Sequence, residues 1–152
     1  MKQKIDFKHV SEFDTPDDSP GYLLWRVSTK WRSEIERILK PLDLTHPQFV
    51  VMATLGWLTK DGDRVSQVDV GRLAGFDPNT TSQILRGIEK KGFVARKQKV
   101  DERSKNPTLT KKGADILAKA IPLVEKTDKA FFAKISGGDE AKLIKIFQNL
   151  FE

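Results

Sequence analysis

Residues 66–92 constrain the fold more than any other stretch, because they specify two short helices joined by a tight turn. Ser66-Gln67-Val68-Asp69 is a capping box: the serine accepts from the third helical N–H and the aspartate reaches back to the serine's own N–H. Val68, Leu73 and Ala74 are expected to give the first helix its apolar side, and Gly75 supplies the left-handed residue that stops it. Asp77-Pro78 starts the second helix, with a side-chain acceptor at the N-cap and a ring whose missing N–H is not needed at N1. Gly92 ends it. On a helical wheel Thr81, Ile84, Leu85 and Ile88 share one face, while Asn79, Gln83, Arg86 and Lys90 lie opposite.

That outward face carries amide and guanidinium groups, which bond adenine and guanine edges in a major groove. Two short helices with a glycine in the turn and a polar second helix fit helix-turn-helix geometry. Residues 93–100 then read as a strand, Asp101-Glu102-Arg103-Ser104-Lys105-Asn106 as a turn, and Pro107-Thr108-Leu109 as a returning strand. The result is a β-wing with Arg103 near its tip. Pro107 removes a ladder donor, so the returning strand must be short or present that position to solvent.

Here the residues resemble a family. Asp101-x-Arg103, followed after five residues by Leu109-Thr110 and Lys112-Gly113, is similar to the wing signature of the MarR family of dimeric winged helix-turn-helix regulators. Glu89-Lys90-Lys91-Gly92-Phe93-Val94-x-Arg96 and Leu44-Thr45-x-x-Gln48-Phe49 fit the same pattern, and the resemblance covers about residues 21–151. Many members carry a basic residue where this chain has Gln83, which implies a different operator sequence. The resemblance implies a homodimeric transcriptional repressor whose DNA affinity falls when a small aromatic or phenolic effector binds between platform and DNA-binding lobe. Trp25, His46 and Phe49 are the candidates to line such a pocket.

Charge supports the same region. The chain carries a net +6, and residues 86–112 alone hold ten Lys/Arg against three Asp/Glu, so the rest of the chain sums to −1. Concentration of the excess at the second helix and wing is what phosphate neutralisation requires. With no cysteine there is no disulfide, thiolate metal site or thiol switch. No phosphate-cradling glycine loop, metal-ligand cluster or Ser/His/Asp set stands out, so neither an enzyme nor a cofactor is expected. The absence of a long apolar run or signal-like segment makes a cytoplasmic protein the expectation.

Residues 1–20 read as an irregular arm and 21–152 as one domain, with a DNA-binding lobe over about 45–110 and dimerisation helices over about 21–40 and 111–152. From Gly21 a helix is predicted to about Lys40, stopped by Pro41; Leu24, Val27, Trp31, Ile35 and Ile38 keep helical spacing, and Leu23, Trp25 and Leu39 widen the apolar surface, which suggests contact both with its own domain and with a second subunit. Thr45-His46-Pro47-Gln48 caps the next helix, in which His46 is better explained as a helix-start residue than as a metal ligand. Arg64-Val65 is predicted to add a small strand to the wing sheet. Thr110 caps a long helix that Pro122 should kink or divide, and Ser136-Gly137-Gly138-Asp139 breaks it. A last helix carries Leu143, Ile146, Phe147 and Leu150 on one stripe.

The fold class is therefore mainly α with a small β-wing: a winged helix-turn-helix flanked by N- and C-terminal dimerisation helices. Symmetric pairing places two recognition helices one turn of double-stranded DNA apart, roughly 34 Å, on a pseudo-palindromic operator. Asn79, Thr80, Ser82, Gln83 and Arg86 are assigned to base edges. Lys90, Arg96 and Lys105 are assigned to phosphates, and Arg103, oriented by Asp101, to a narrow minor groove. The alternative is a winged helix used only for dimerisation or protein docking, which needs neither Arg103 nor charge concentrated on one lobe.

Overall fold

The computed structural model describes residues 3–97, 106–135 and 137–151. The arm is less irregular than expected. A one-turn helix α1, Phe7–Val10, is capped by Asp6, and a 3-10 turn spans Pro16–Asp18. Helix α2, Pro20–Leu39, begins where Ser19 accepts from the Tyr22 N–H at 3.3 Å with Pro20 at N1. A second 3-10 turn, Lys40–Leu42, absorbs Pro41, and Asp43 takes a left-handed conformation with φ 55°.

Helix α3, His46–Thr59, is held by the expected capping box: Thr45 Oγ1 accepts from the Gln48 N–H at 3.3 Å and Gln48 Oε1 from the Thr45 N–H at 3.2 Å. It is the central helix, packing against α2, α4, α5 and α6 and against the second strand of the wing. Its Val51, Met52 and Leu55 are fully buried. No strand forms at Arg64-Val65, and Val65 instead buries its side chain in the core.

Helix α4, Gln67–Ala74, and helix α5, Pro78–Lys90, form the predicted pair, but α4 is rotated from its expected orientation. Val68 and Leu73 are more than half exposed, and Val70 and Gly71 face inward. The cause is a close crossing. A Cβ at Gly71 would stand 2.5 Å from Thr81 Oγ1. Thr81 is itself buried and donates to the Asp77 carbonyl at 2.8 Å, so it cannot swing aside freely. The α5 wheel holds as read: Thr81, Leu85 and Ile88 are buried, with Ile84 partly so.

Strands β1, Val94–Lys97, and β2, Asn106–Leu109, pair antiparallel with Val94 opposite Leu109 and Arg96 opposite Pro107. The Thr110 N–H donates to the Phe93 carbonyl at 3.0 Å. Alternation along the ladder then makes Arg96–Pro107 a non-hydrogen-bonded pair, so the proline's missing donor leaves no gap while its ring is buried. The wing turn over 101–105 lies outside the described residues.

Helix α6, Lys111–Phe132, runs undivided through Pro122. Leu117, Ala120 and Val124 anchor it to the core on both sides of the proline, whose ring and the i−4 residue Ala118 face water. Its start is crowded: a Cβ at Gly113 would lie 1.9 Å from the Phe93 carbonyl oxygen. Helix α7, Asp139–Asn149, buries none of its residues, and Ile146, Phe147 and Leu150 remain 54, 40 and 72% exposed.

Gly71→Ala should destabilise the fold by about 1–3 kcal/mol, and Gly113→Ala by more because it meets backbone rather than a side chain. Gly21→Ala, where an added Cβ meets nothing, should be neutral or slightly stabilising. Urea unfolding of the three variants checks this; wild-type stability for Gly71→Ala would show that the α4–α5 crossing is not tight.

Candidate nucleic-acid interface

The N-terminus of α5 is built by Asp77. One carboxylate oxygen accepts from the Asn79 and Thr80 N–H groups, both at 2.9 Å, and the other accepts from the Thr80 hydroxyl at 2.5 Å. The Thr80 hydroxyl bond is the main cause holding the Asp77 carboxyl below its usual range; the Ser66 hydroxyl does the same for Asp69 in α4. Thr80 thus serves the cap, and its hydroxyl proton is already engaged. Asn79, Gln83, Arg86 and Lys90 are exposed along the outward face, with Ser82 half-buried beside them. Arg86 and Lys90 form no ion pair among the described residues.

The surrounding cations divide by partner. Arg96 Nε donates to Glu89 Oε2 at 2.8 Å, a second guanidinium nitrogen contacts the same oxygen, and the Arg96 side chain is only 11% exposed. It ties β1 to α5, which leaves little of the guanidinium for the phosphate to which the sequence assigned it. Lys91 is also internal, donating to the Asp43 carbonyl at 2.6 Å, to Asp43 Oδ1 at 3.1 Å and to Gln48 Oε1 at 3.0 Å. Lys112 donates to the Lys91 carbonyl at 3.0 Å and lies 5.1 Å from the Phe93 ring centre. Asp101, Arg103 and Lys105 lie outside the described residues.

The residues expected to line an effector pocket have separate settings in the single chain. Trp25 is 69% exposed on α2. It is Trp31 that meets His46, edge to face at 4.9 Å, while its own Nε1 donates to Asp128 at 2.7 Å. His46 is buried at the start of α3, its backbone N–H donating to Glu36 Oε1 at 2.9 Å, and Phe49 packs against the core. An apolar groove of about 350 Å³ lies instead between α3 and α6, floored by Gly56, Leu109 and Leu117 and edged by Trp57 and Lys60. Lys60 Nζ sits 4.9 Å from the Trp57 ring centre. Sequence reading missed this groove, Gly71 and the Lys91 contacts. Only the helical spacing of Gly56, Trp57 and Lys60 signalled any of them.

Among the described residues no cluster of acidic, histidine or cysteine side chains suits a metal, and no helix is long and apolar enough to cross a membrane.

With this geometry in hand, comparison places the chain among known proteins. The model of an ArnR1-like winged-helix domain matches residues 41–127. The HTH-type transcriptional regulator YdcH of Bacillus subtilis is 36% identical over 124 residues, spanning 81% of this chain and 84% of YdcH. The Mycobacterium tuberculosis MarR family protein Rv2887, solved in complex with p-aminosalicylic acid, is 30% identical with a TM-score of 0.66, covering 88% of this chain and 99% of its own. The same protein solved in complex with DNA is 28% identical, with a TM-score of 0.66 over 88% and 98% of the two chains.

Burial lowers the pKa of His46 from its ordinary 6.5, partly opposed by the Glu36 carboxylate. Below pH 6.5 the unfolded chain therefore takes up this proton more readily than the folded one. Stability associated with His46 should be complete above 6.5 and lost as pH falls through the lower folded value. Urea midpoints from neutrality to about pH 5 should fall in the wild type and fall less in His46→Gln. Parallel curves would show that His46 does not resist protonation.

Proposed function

The chain belongs to the MarR family of winged helix-turn-helix transcriptional regulators, and from that premise we propose that it is a homodimeric repressor released from a pseudo-palindromic operator by a small aromatic acid. The observation that carries the reading is the outward face of α5, where Asn79, Gln83, Arg86 and Lys90 stand exposed while every buried position on the helix is spent on the core. A helix presented this way enters a major groove, with Arg86 suited to guanine and Asn79 or Gln83 to adenine. Ser82 supports them, and Lys90 fixes register on a phosphate. On the wing, the sequence keeps Arg103 for the minor groove, Asp101 as its orienting partner and Lys105 for a phosphate. The complex of Rv2887 with DNA supports this placement by likeness of fold and sequence.

Dimerisation uses the apolar residues that the single chain leaves exposed at the N-terminal half of α2 and along α7. The role is regulatory rather than catalytic and suits the cytoplasm. For the effector, the complex of Rv2887 with p-aminosalicylic acid supports an aromatic acid. The α3–α6 groove fits one: Gly56 keeps its floor open, the apolar wall takes a ring, and Lys60 at the mouth, paired here with the exposed Asp61 carboxylate, offers a cation that a ligand carboxylate can take over or share. The groove joins the long platform helix to the helix at the centre of the DNA-binding lobe, so a bound ring biases their relative position.

Arg86→Ala should lose about 1–3 kcal/mol on the operator and relax preference at one base pair per half-site. Arg96→Met should leave the salt slope of DNA binding unchanged, because Arg96 pairs with Glu89 instead of a phosphate. Salt titrations on operator and random duplex decide; sequence-independent losses for Arg86→Ala would overturn the recognition-helix assignment. Hydroxybenzoates should quench tryptophan fluorescence and weaken operator binding together, and Trp57→Phe should remove most of the quench. A full quench in that variant would move the effector away from this groove.

A further inference from the structure

Recognition helices meet base edges with their N-terminal residues. In α5 the hydrogen-bond donors of that first turn are already engaged. Pro78 has no N–H. The Asn79 and Thr80 N–H groups both donate to one carboxylate oxygen of Asp77 at 2.9 Å, and the Thr81 N–H donates to the Asp77 carbonyl at 2.9 Å. The buried Thr81 hydroxyl donates to the same carbonyl at 2.8 Å. Thr80 is only half-buried, and its hydroxyl meets the second carboxylate oxygen of Asp77 at 2.5 Å. Asp77 is held in its ionised form, first of all by that same hydroxyl. A carboxylate cannot donate, so the proton of this bond belongs to Thr80. The Thr80 oxygen therefore turns only lone pairs to whatever approaches it.

Two ordinary roles for a threonine at this place are thereby excluded. A phosphate needs a donor, and here the hydroxyl proton and the N–H groups are taken while the Asp77 charge repels it. A guanine or thymine edge needs one too, because N7, O6 and O4 all accept. Acceptor facing acceptor in a groove leaves both without a partner, and that penalty rejects the wrong base. A base amino group is the complement. Cytosine offers N4 with no acceptor on its own major-groove edge, whereas adenine offers N6 with N7 beside it. The Asp77 carboxylate is exposed and in no ion pair among the described residues, so its charge favours cytosine of the two.

We propose that Thr80, its proton fixed by Asp77, reads a base amino group as a pure acceptor and so sets cytosine at one position of each half-site, with adenine second. The inference rests on the recognition-helix reading of the proposed function and adds a residue pair to it. Thr80 touches the base; Asp77 acts through Thr80 by deciding where the hydroxyl proton points.

The test is selection by the full-length protein from duplexes of randomised sequence, followed by titrations on the selected site. Wild type should enrich cytosine at one position per half-site and lose about tenfold in affinity when guanine or thymine replaces it. Thr80→Val keeps the shape, removes the acceptor and should lose the preference for cytosine. Replacing that cytosine by 2-pyrimidinone, which lacks the amino group, should weaken wild type about tenfold and Thr80→Val hardly at all. The analogue on wild-type protein decides even where a substitution disturbs the fold. Asp77→Asn is the sharper variant. Its amide oxygen still caps the helix, while its NH2 donates to the Thr80 oxygen and frees the hydroxyl proton to turn outward. Preference at the same position should then pass to guanine or thymine, which loss of a helix cap alone would not produce. An unchanged preference in Asp77→Asn, or a loss for Thr80→Val that is equal on every sequence, overturns the proposal. Arg86-dependent specificity with no effect of the analogue defeats this inference alone; a wild type that enriches no sequence defeats the recognition-helix reading as well.

Discussion

The carbonyl of Phe93 is where the recognition helix, the wing and the platform helix are joined. It accepts from the Thr110 N–H at 3.0 Å, and Gly113 passes so close that no side chain fits between. Thr110 completes the joint, accepting from the Gly113 N–H at 3.0 Å and donating to the Gly92 carbonyl at 2.6 Å. The Phe93 N–H donates in turn to the Ile88 carbonyl, which ends α5. The orientation of α5 relative to the wing, and of both relative to α6, follows from these few backbone contacts. Packed interiors are too dense to deform gradually, so such a joint moves as a unit or breaks.

Local signals were the legible ones. Capping boxes at Thr45 and Ser66, the Asp77-Pro78 start, and the glycines at 75 and 92 fix where helices begin and end, and each is written within a few residues. The buried face of α5 was legible because its apolar residues recur at helical spacing. The face of α4 was not. In an eight-residue helix, Val68 and Leu73 look like core, and only the glycine at 71, seen beside Thr81 from another helix, decides the rotation. Pro122 does not divide its helix for a related reason: a hydrogen bond lost on a solvent face leaves its carbonyl open to water, and packing on both sides keeps the helix continuous.

Charge was legible as a total but not as an allocation. The excess of lysine and arginine over residues 86–112 is real. Arg96, Lys91 and Lys112 nonetheless spend their donors on Glu89, on Asp43 and Gln48, and on a backbone carbonyl. Pairings across seven, twenty-one, forty-three or forty-eight residues leave no spacing rule to read. The same holds for the α3–α6 groove, whose walls come from helices far apart in the chain.

Lys91 has a mechanical consequence. It stands at the C-terminal end of α5 and grips the left-handed turn at Asp43, where α2 hands over to α3. The recognition helix is therefore tied at one end to the tail of a platform helix, while the end that meets DNA packs through Thr81 against α4. A small tilt of α2 would act on that helix as on a crank, shifting its tip more than its base. In a two-fold assembly the two tips would move oppositely, so a sub-ångström change in the platform would be read as a change in the distance between half-sites.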